Sequence, residues 1–148
     1  MDEITEIGEN IFIMPDIDIS NSIDSHFKGL YVKLNNDIVS EEFNDELFMV
    51  IKQQGKINIV KACSDRGITN VCTTAIDNFK LPVGLILGGF HLKDCTSEKY
   101  VQITHYFRIL QPESIRVCHC SGIEKYAEIQ RDCERHLFYN YTGNEVII

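Results

Sequence analysis

Three residues able to bind a metal ion recur at regular intervals in the second half of the chain. Asp65, His91 and His119 are separated by 26 residues (65 to 91) and 28 residues (91 to 119), and each follows a short β-rich run. The carboxyl ends of parallel strands meet at one sheet edge, so we expect these side chains to converge there. Carboxylate and imidazole groups suit zinc, iron or manganese. The spacing predicts a metal or catalytic centre, and the alternative for Asp65 is a cap on the following helix.

The elements that would position these residues follow from the apolar periodicity. Residues 56–148 read as alternating strands and helices, and helical crossovers between strands imply that the strands are parallel. We expect a strand over Val83–Leu87, a turn or close approach at Gly88 and Gly89, a third helix reaching Leu137, and a last strand over 145–148. A hairpin with a turn at 53–55 precedes them. The predicted class is α/β (α+β), one domain over 1–148 with a mixed sheet.

The bulk composition narrows the function classes. The 148 residues carry a formal net charge of −8, which argues against binding nucleic-acid phosphates or an anionic membrane surface. No apolar stretch is long enough to span a membrane and no secretion signal is visible, so we expect a cytoplasmic protein. In that compartment the six cysteines should be thiols, with Cys72 and Cys133 in the core.

Other polar residues are assigned simpler roles. His26 lies in an Asp/Ser/Asn-rich stretch and is expected to be solvated, as are the acidic residues 41–46. His105 lies off the apolar stripe of its helix and is expected at the surface. Cys118 and Cys120 flank His119, which leaves a cysteine-based redox function as a third interpretation.

Three motifs resemble the metallo-β-lactamase superfamily. They are Cys63-Ser-Asp-Arg-Gly-Ile68, Gly88-Gly-Phe-His-Leu92 and His119-Cys-Ser-Gly122, in the order and spacing of that family's last three motifs. They are most similar to the branch related to dihydropterin–ribofuranosylaminobenzene-phosphate synthase, where the motifs usually read Gly-Cys-Ser-His-x-Gly-Ile, Gly-Gly-Phe-His-Leu and His-Cys-Thr-Gly. The resemblance runs from about Ile11 to the C-terminus.

The resemblance implies an αββα fold with a metal site at the sheet edge. It makes His119 a metal ligand and His91 a ligand or a residue beside the substrate, and Asp65 stands where the family has a metal-binding histidine. Zinc is the expected ion, with iron or manganese as alternatives. Substrate-side or supporting roles are implied for five further residues: Ser64, Arg66, Gly89, Cys120 and Ser121.

The family's main metal motif, His-x-His-x-Asp-His, is absent from this chain. The chain therefore resembles the C-terminal half of the domain, and we expect one sheet face to need cover from self-association or from a partner carrying the N-terminal half. The predicted function is a metal-dependent hydrolase, inactive alone, acting on a phosphate- or ester-containing small molecule. The alternative is a non-catalytic remnant or interaction module that has lost its metal chemistry.

Overall fold

A seven-stranded mixed sheet forms the centre of the molecule. The computed structural model describes residues 3–26, 29–133 and 137–148. The strands of this sheet, in spatial order, are β1 (Thr5–Gly8), β2 (Ile11–Met14), β5 (Phe48–Gln53), β6 (Lys56–Cys63), β7 (Val83–Gly89), β8 (Ser114–Val117) and β9 (Leu137–Tyr139). A separate hairpin pairs β3 (Tyr31–Leu34) with β4 (Asp37–Ser40).

The sheet changes from antiparallel to parallel at β6. Strands β1, β2, β5 and β6 pair antiparallel, whereas β6 to β9 pair parallel. The β5–β6 hairpin turns through Gln54 (φ 51°) and Gly55 (φ 74°), and two left-handed residues give the tight turn whose twist matches the flanking strands. The mixed α+β sheet predicted from the sequence is confirmed.

The helices follow the parallel strands. Helix α1 spans Ile68–Phe79, α2 spans Ser97–Leu110 and α3 spans Ile123–Cys133. Thr96 caps α2, because its side chain accepts a hydrogen bond from the Lys99 backbone N–H. None of the helices in the described ranges is long and apolar enough to cross a membrane.

The helices cover one face of the sheet. Strands β6 to β9 lie side by side in chain order, and right-handed crossovers in one direction place all their helices on the same side. A row of cross-strand partners faces the helices and forms the sheet side of the buried core. The helices contribute Val71, Ile103 and Ile129 to the same core. That row consists of Val50, Ile59, Ile86, Ile115 and Leu137.

The opposite face is apolar but only partly covered. The adjacent row of cross-strand partners points to that face, and none of its side chains reaches full burial. The row consists of Ile13, Met49, Val60, Leu87, Arg116 and Phe138. Phe138 remains 45% exposed beneath the Arg116 guanidinium. We call this row the open face.

Two expectations about these elements were wrong. The third helix does not reach Leu137, which lies in β9, and 145–148 forms no strand. Ile129 is the buried anchor of α3, while Ile123 is 60% exposed. Gly88 and Gly89 form no turn, because strand pairing continues through both residues of β7. The alternative expectation of a close approach is confirmed, since a Cβ atom at Gly88 would clash with the Lys61 carbonyl oxygen and one at Gly89 would lie 2.7 Å from Cys120 Sγ. The side chain of Cys133 and His136 lie outside the described residues.

Candidate metal centre

The structure brings Asp65 and His91 into direct contact at the carboxyl edge of the parallel strands. The His91 Nε2 atom lies 2.8 Å from Asp65 Oδ1. His119 follows β8 at the same edge, and its Nδ1 atom lies 3.6 Å from the sulfur of Cys63. The predicted convergence of the three loops therefore occurs, with Cys63 between them.

Cys63 belongs to two groups of side chains that could each hold a metal ion. One group is Cys63, Asp65 and His91, and the other is Cys63, His119 and Cys120; within each, the donor atoms lie within 4.8 Å of one another. The Cys63 sulfur is 2.9 Å from His91 Nε2 and 3.0 Å from Cys120 Sγ. Thiolate, imidazole and carboxylate together form a donor set that suits a borderline-soft divalent ion.

Sequence reasoning missed Cys63 as a site residue. A signal was present, since Cys63 ends β6 two residues before Asp65 within the same motif.

His91 and His119 share an unusual backbone conformation. Their φ angles are 48° and 51°, in the left-handed region that residues with a Cβ rarely occupy. Each residue follows the end of a parallel strand, β7 or β8. The conformation costs about 1–2 kcal/mol per residue relative to the right-handed one. It turns the chain sharply where both imidazoles meet Cys63.

Burial governs the proton affinity of the site. Desolvation lowers the pKa of His91 below its usual value, and the nearby Asp65 carboxylate opposes this only in part. The imidazole is therefore neutral near pH 7, as a ligand must be. Burial, the Cys120 thiol and the charges of Asp65 and Glu46 raise the pKa of Cys63. A cation bound among these groups would stabilise the Cys63 thiolate and so oppose the rise in its pKa.

Glu46 fixes the loop that carries Asp65. Its carboxylate accepts hydrogen bonds from the backbone N–H groups of Asp65 (2.9 Å) and Arg66 (2.8 Å), and it pairs with Lys61 at 3.0 Å. Both side chains of this ion pair are only 6% exposed. The expectation that residues 41–46 form a solvated acidic loop was thus wrong for Glu46, whose partners lie far away in the sequence.

The cap of helix α1 comes from Asp24. The Asp24 Oδ2 atom accepts hydrogen bonds from the backbone N–H (2.7 Å) and hydroxyl (2.9 Å) of Thr69. The helix N-cap position is Gly67, which has no capping side chain. Asp65 therefore faces His91, and the alternative role of helix cap belongs to Asp24.

His26 lies at the site. Its ring stacks on His91 with centroids 4.7 Å apart and planes 11° apart, and its backbone N–H donates to the Asp65 carbonyl. The residue is exposed, as expected, but the interpretation as a solvated loop residue missed this contact. His105 is exposed on α2, as predicted.

The remaining predicted residues hold the loops in place. Ser64 Oγ donates to the Gly89 carbonyl at 2.7 Å, and Ser121 Oγ accepts from the Phe90 N–H at 2.9 Å. The Arg66 guanidinium donates to the carbonyls of Ile17 and Glu42 and to the Asn44 side chain. These contacts tie the strand-end loops to one another and to the segments before β5.

Comparison with known proteins agrees with the resemblance. The chain is 29% identical over 133 residues to 7,8-dihydropterin-6-methyl-4-(β-D-ribofuranosyl)-aminobenzene-5′-phosphate synthase of Methanocaldococcus jannaschii, a match covering 84% of this chain and 45% of the relative. The whole chain superposes, with a TM-score of 0.84 and 24% identity, on 57% of the crystal structure of a metal-dependent hydrolase of the β-lactamase superfamily. No protein-family model matches.

The chain spans about half the length of these two proteins. The structural match extends over every strand and helix described above. The three strand-end motifs lie at the edge of the sheet where Asp65, His91 and His119 gather around Cys63. The chain therefore has the fold of the metallo-β-lactamase superfamily and resembles, in sequence, its dihydropterin–ribofuranosylaminobenzene-phosphate synthase branch.

Proposed function

We propose that this chain provides the divalent-metal edge of a metallo-β-lactamase-type hydrolase. The observation that carries the proposal is the position of Cys63, whose sulfur is common to two groups of metal donors at the carboxyl edge of the sheet. Zinc is the proposed ion because two thiols and two imidazoles supply sulfur and nitrogen donors. A bound divalent ion would supply Lewis-acid activation at neutral pH.

The chain's own residues prepare this edge. The Asp65 carboxylate contacts His91 Nε2 at 2.8 Å and orients the ring, while Glu46 holds the backbone N–H of Asp65. The His26 ring stacks on the His91 ring, and this packing restricts rotation of the His91 side chain. Preorganised donors lose less entropy on binding an ion than mobile donors do.

We propose a phosphate-bearing small molecule as the substrate class. The named product of the archaeal relative carries a 5′-phosphate, and a metal centre can stabilise negative charge on phosphoryl oxygens. This chain lacks His-x-His-x-Asp-His, so we expect no hydrolysis from this chain alone.

The open face supports a partner that carries a second sheet. Its row of Met49, Val60 and Leu87 remains only partly buried, and apolar sheet faces are normally covered. Because the chain spans about half of its relatives, we propose the N-terminal half of the same fold as the occupant, with self-association as the competing outcome. A compact, folded monomer at micromolar concentration in sedimentation velocity would contradict the need for any cover.

Metal content is the decisive measurement. The untagged chain, purified under reducing conditions and exposed to zinc, should hold near-stoichiometric metal by elemental mass spectrometry. The Asp65→Ala/His119→Ala variant should lose most of it, whereas His105→Ala, which removes an exposed imidazole on α2, should retain it. Equal metal in all three proteins, or none in the wild type, contradicts the proposal.

A non-catalytic interaction module is the second candidate. It is favoured by Asp65, which stands where the resembling family has a metal-binding histidine, and by the missing motif. The absence of metal together with stable association through the open face would support this candidate. A Leu87→Lys variant would then dissociate the assembly, because it places a charge on that apolar row.

A further inference from the structure

Two cysteine sulfurs meet across an intervening strand. Cys63 ends β6 and Cys120 follows β8, and β7 lies between these strands, yet the two sulfurs are 3.0 Å apart. Neighbouring strands lie about 4.8 Å apart, so alternate strands are separated by roughly 10 Å. Two cysteine side chains can span that gap only where the middle strand presents no side chain.

Gly89 is the position in β7 where the missing side chain leaves room for the two sulfurs. A Cβ atom at Gly89 would lie 2.7 Å from Cys120 Sγ and 2.8 Å from the Ala62 carbonyl oxygen. Any larger residue would displace the Cys120 sulfur. The glycine at the end of β7 therefore lets the thiol that ends β6 meet the thiol that follows β8.

The surroundings of the pair leave it accessible and hydrogen-bonded. Both cysteines are half-buried, in contrast to the fully buried Cys72. The backbone N–H of His91 donates a hydrogen bond to Cys120 Sγ at 3.3 Å. A small oxidant can reach the pair from solvent.

We propose that Cys63 and Cys120 are a redox-active thiol pair that closes to a disulfide with peroxide and so removes the sulfur shared by both metal-binding groups. The proposal that a disulfide forms rests only on the geometry of the two sulfurs. Its consequence for metal rests on the function proposed above. Metal binding and the disulfide exclude each other, because a sulfur in a disulfide is no longer a thiolate ligand.

The reaction balances with one hydrogen peroxide for each pair. The thiolate of one cysteine attacks a peroxide oxygen, an S–O bond forms, the O–O bond breaks, and hydroxide leaves as water after taking a proton. The second thiol then attacks the sulfenic sulfur, the S–S bond forms, the S–O bond breaks, and a second water leaves. A small dithiol reverses the change by exchange and is itself oxidised.

The first test is covalent and needs no metal. The full chain is treated with a chelator, then with hydrogen peroxide, and analysed by intact mass and peptide mapping. We expect a loss of two hydrogens, a Cys63–Cys120 crosslinked peptide, and its disappearance with dithiothreitol. Cys63→Ser and Cys120→Ser should abolish the crosslink, and Cys118→Ser, which removes a half-buried thiol nearby, should retain it. Oxygen addition without crosslinking, or pairing with another cysteine, would overturn the assignment.

The second test measures zinc bound by reduced, oxidised and re-reduced protein. We expect oxidation to lower the bound zinc at least tenfold and dithiothreitol to restore it. Zinc binding that is equal in the reduced and oxidised proteins overturns the exclusion. If reduced protein binds zinc but no crosslink forms, the thiol pair fails and the metal proposal stands. If the crosslink forms but reduced protein binds no zinc, the metal proposal fails together with the exclusion.

Discussion

Glu46→Gln should destabilise the protein strongly although it changes only one atom. The substitution removes the charge that pairs with Lys61 at 3.0 Å, in a place where both side chains are 6% exposed. The Lys61 ammonium would keep its hydrogen bond to the Leu47 carbonyl at 2.6 Å but would lose the negative charge that balances it. Removing one partner of a buried ion pair costs about 3–5 kcal/mol.

The same substitution weakens the loop of the site. The carboxylate of Glu46 holds the N–H groups of Asp65 and Arg66, and an amide offers them only one acceptor oxygen. Hydrogen bonds to charged groups contribute about 1.5–3 kcal/mol each, and this loss overlaps with that of the ion pair. We therefore expect a total of about 3–5 kcal/mol, a large share of the roughly 5–15 kcal/mol typical of domains.

Equilibrium unfolding in urea provides the measurement, with metal removed so that only folding is compared. Glu42→Gln is the matched control, because Glu42 is an exposed carboxylate in the same segment and should change stability by less than about 0.5 kcal/mol. Lys61→Met combined with Glu46→Gln should be less destabilising than the sum of the two single changes. A loss below about 1 kcal/mol for Glu46→Gln would refute the argument that this pair anchors the loop.

Three other predictions test the cap of α1 by Asp24, the left-handed backbone at His119 and the missing side chain at Gly89. Burial raises the pKa of Asp24 above its ordinary value of 3.8, so its stabilising contribution is present below pH 3.8 and lost as pH rises through the native pKa. Urea unfolding should therefore show the wild type losing stability relative to Asp24→Asn as the pH rises above 3.8, and a constant difference would contradict this. His119→Gly should be more stable than His119→Ala by about 1 kcal/mol, because glycine accepts the φ of 51° without strain; chemical denaturation would show equal stability if that strain were absent. Gly89→Ala should cost about 1–3 kcal/mol by overpacking and reduce the peroxide crosslink of Cys63 to Cys120, and thermal unfolding with peptide mapping measures both effects.

Periodicity predicted the alternation of strands and helices in the second half of the chain, but not the extent of the third helix or the position of the last strand. The short apolar run at Val83 predicted β7, and the alternation of strands and helices over 56–148 predicted parallel strands. Parallel order in turn predicted that the loops at Asp65, His91 and His119 would share one edge. These features follow from residues close together in the chain, whose spacing directly reflects the local backbone.

The details of the site required the tertiary structure. The contact between Cys63 and Cys120 spans 57 residues and depends on the absence of a side chain at Gly89 in the strand between them. Glu46 and Asp24 reach their partners across 19 and 45 residues, so no local pattern distinguishes them from solvated carboxylates. The sequence by itself determined which loops carry donors. Packing of non-adjacent segments decided which donor atoms meet, because angstrom-scale contacts depend on the whole sheet and not on the periodicity of any one element.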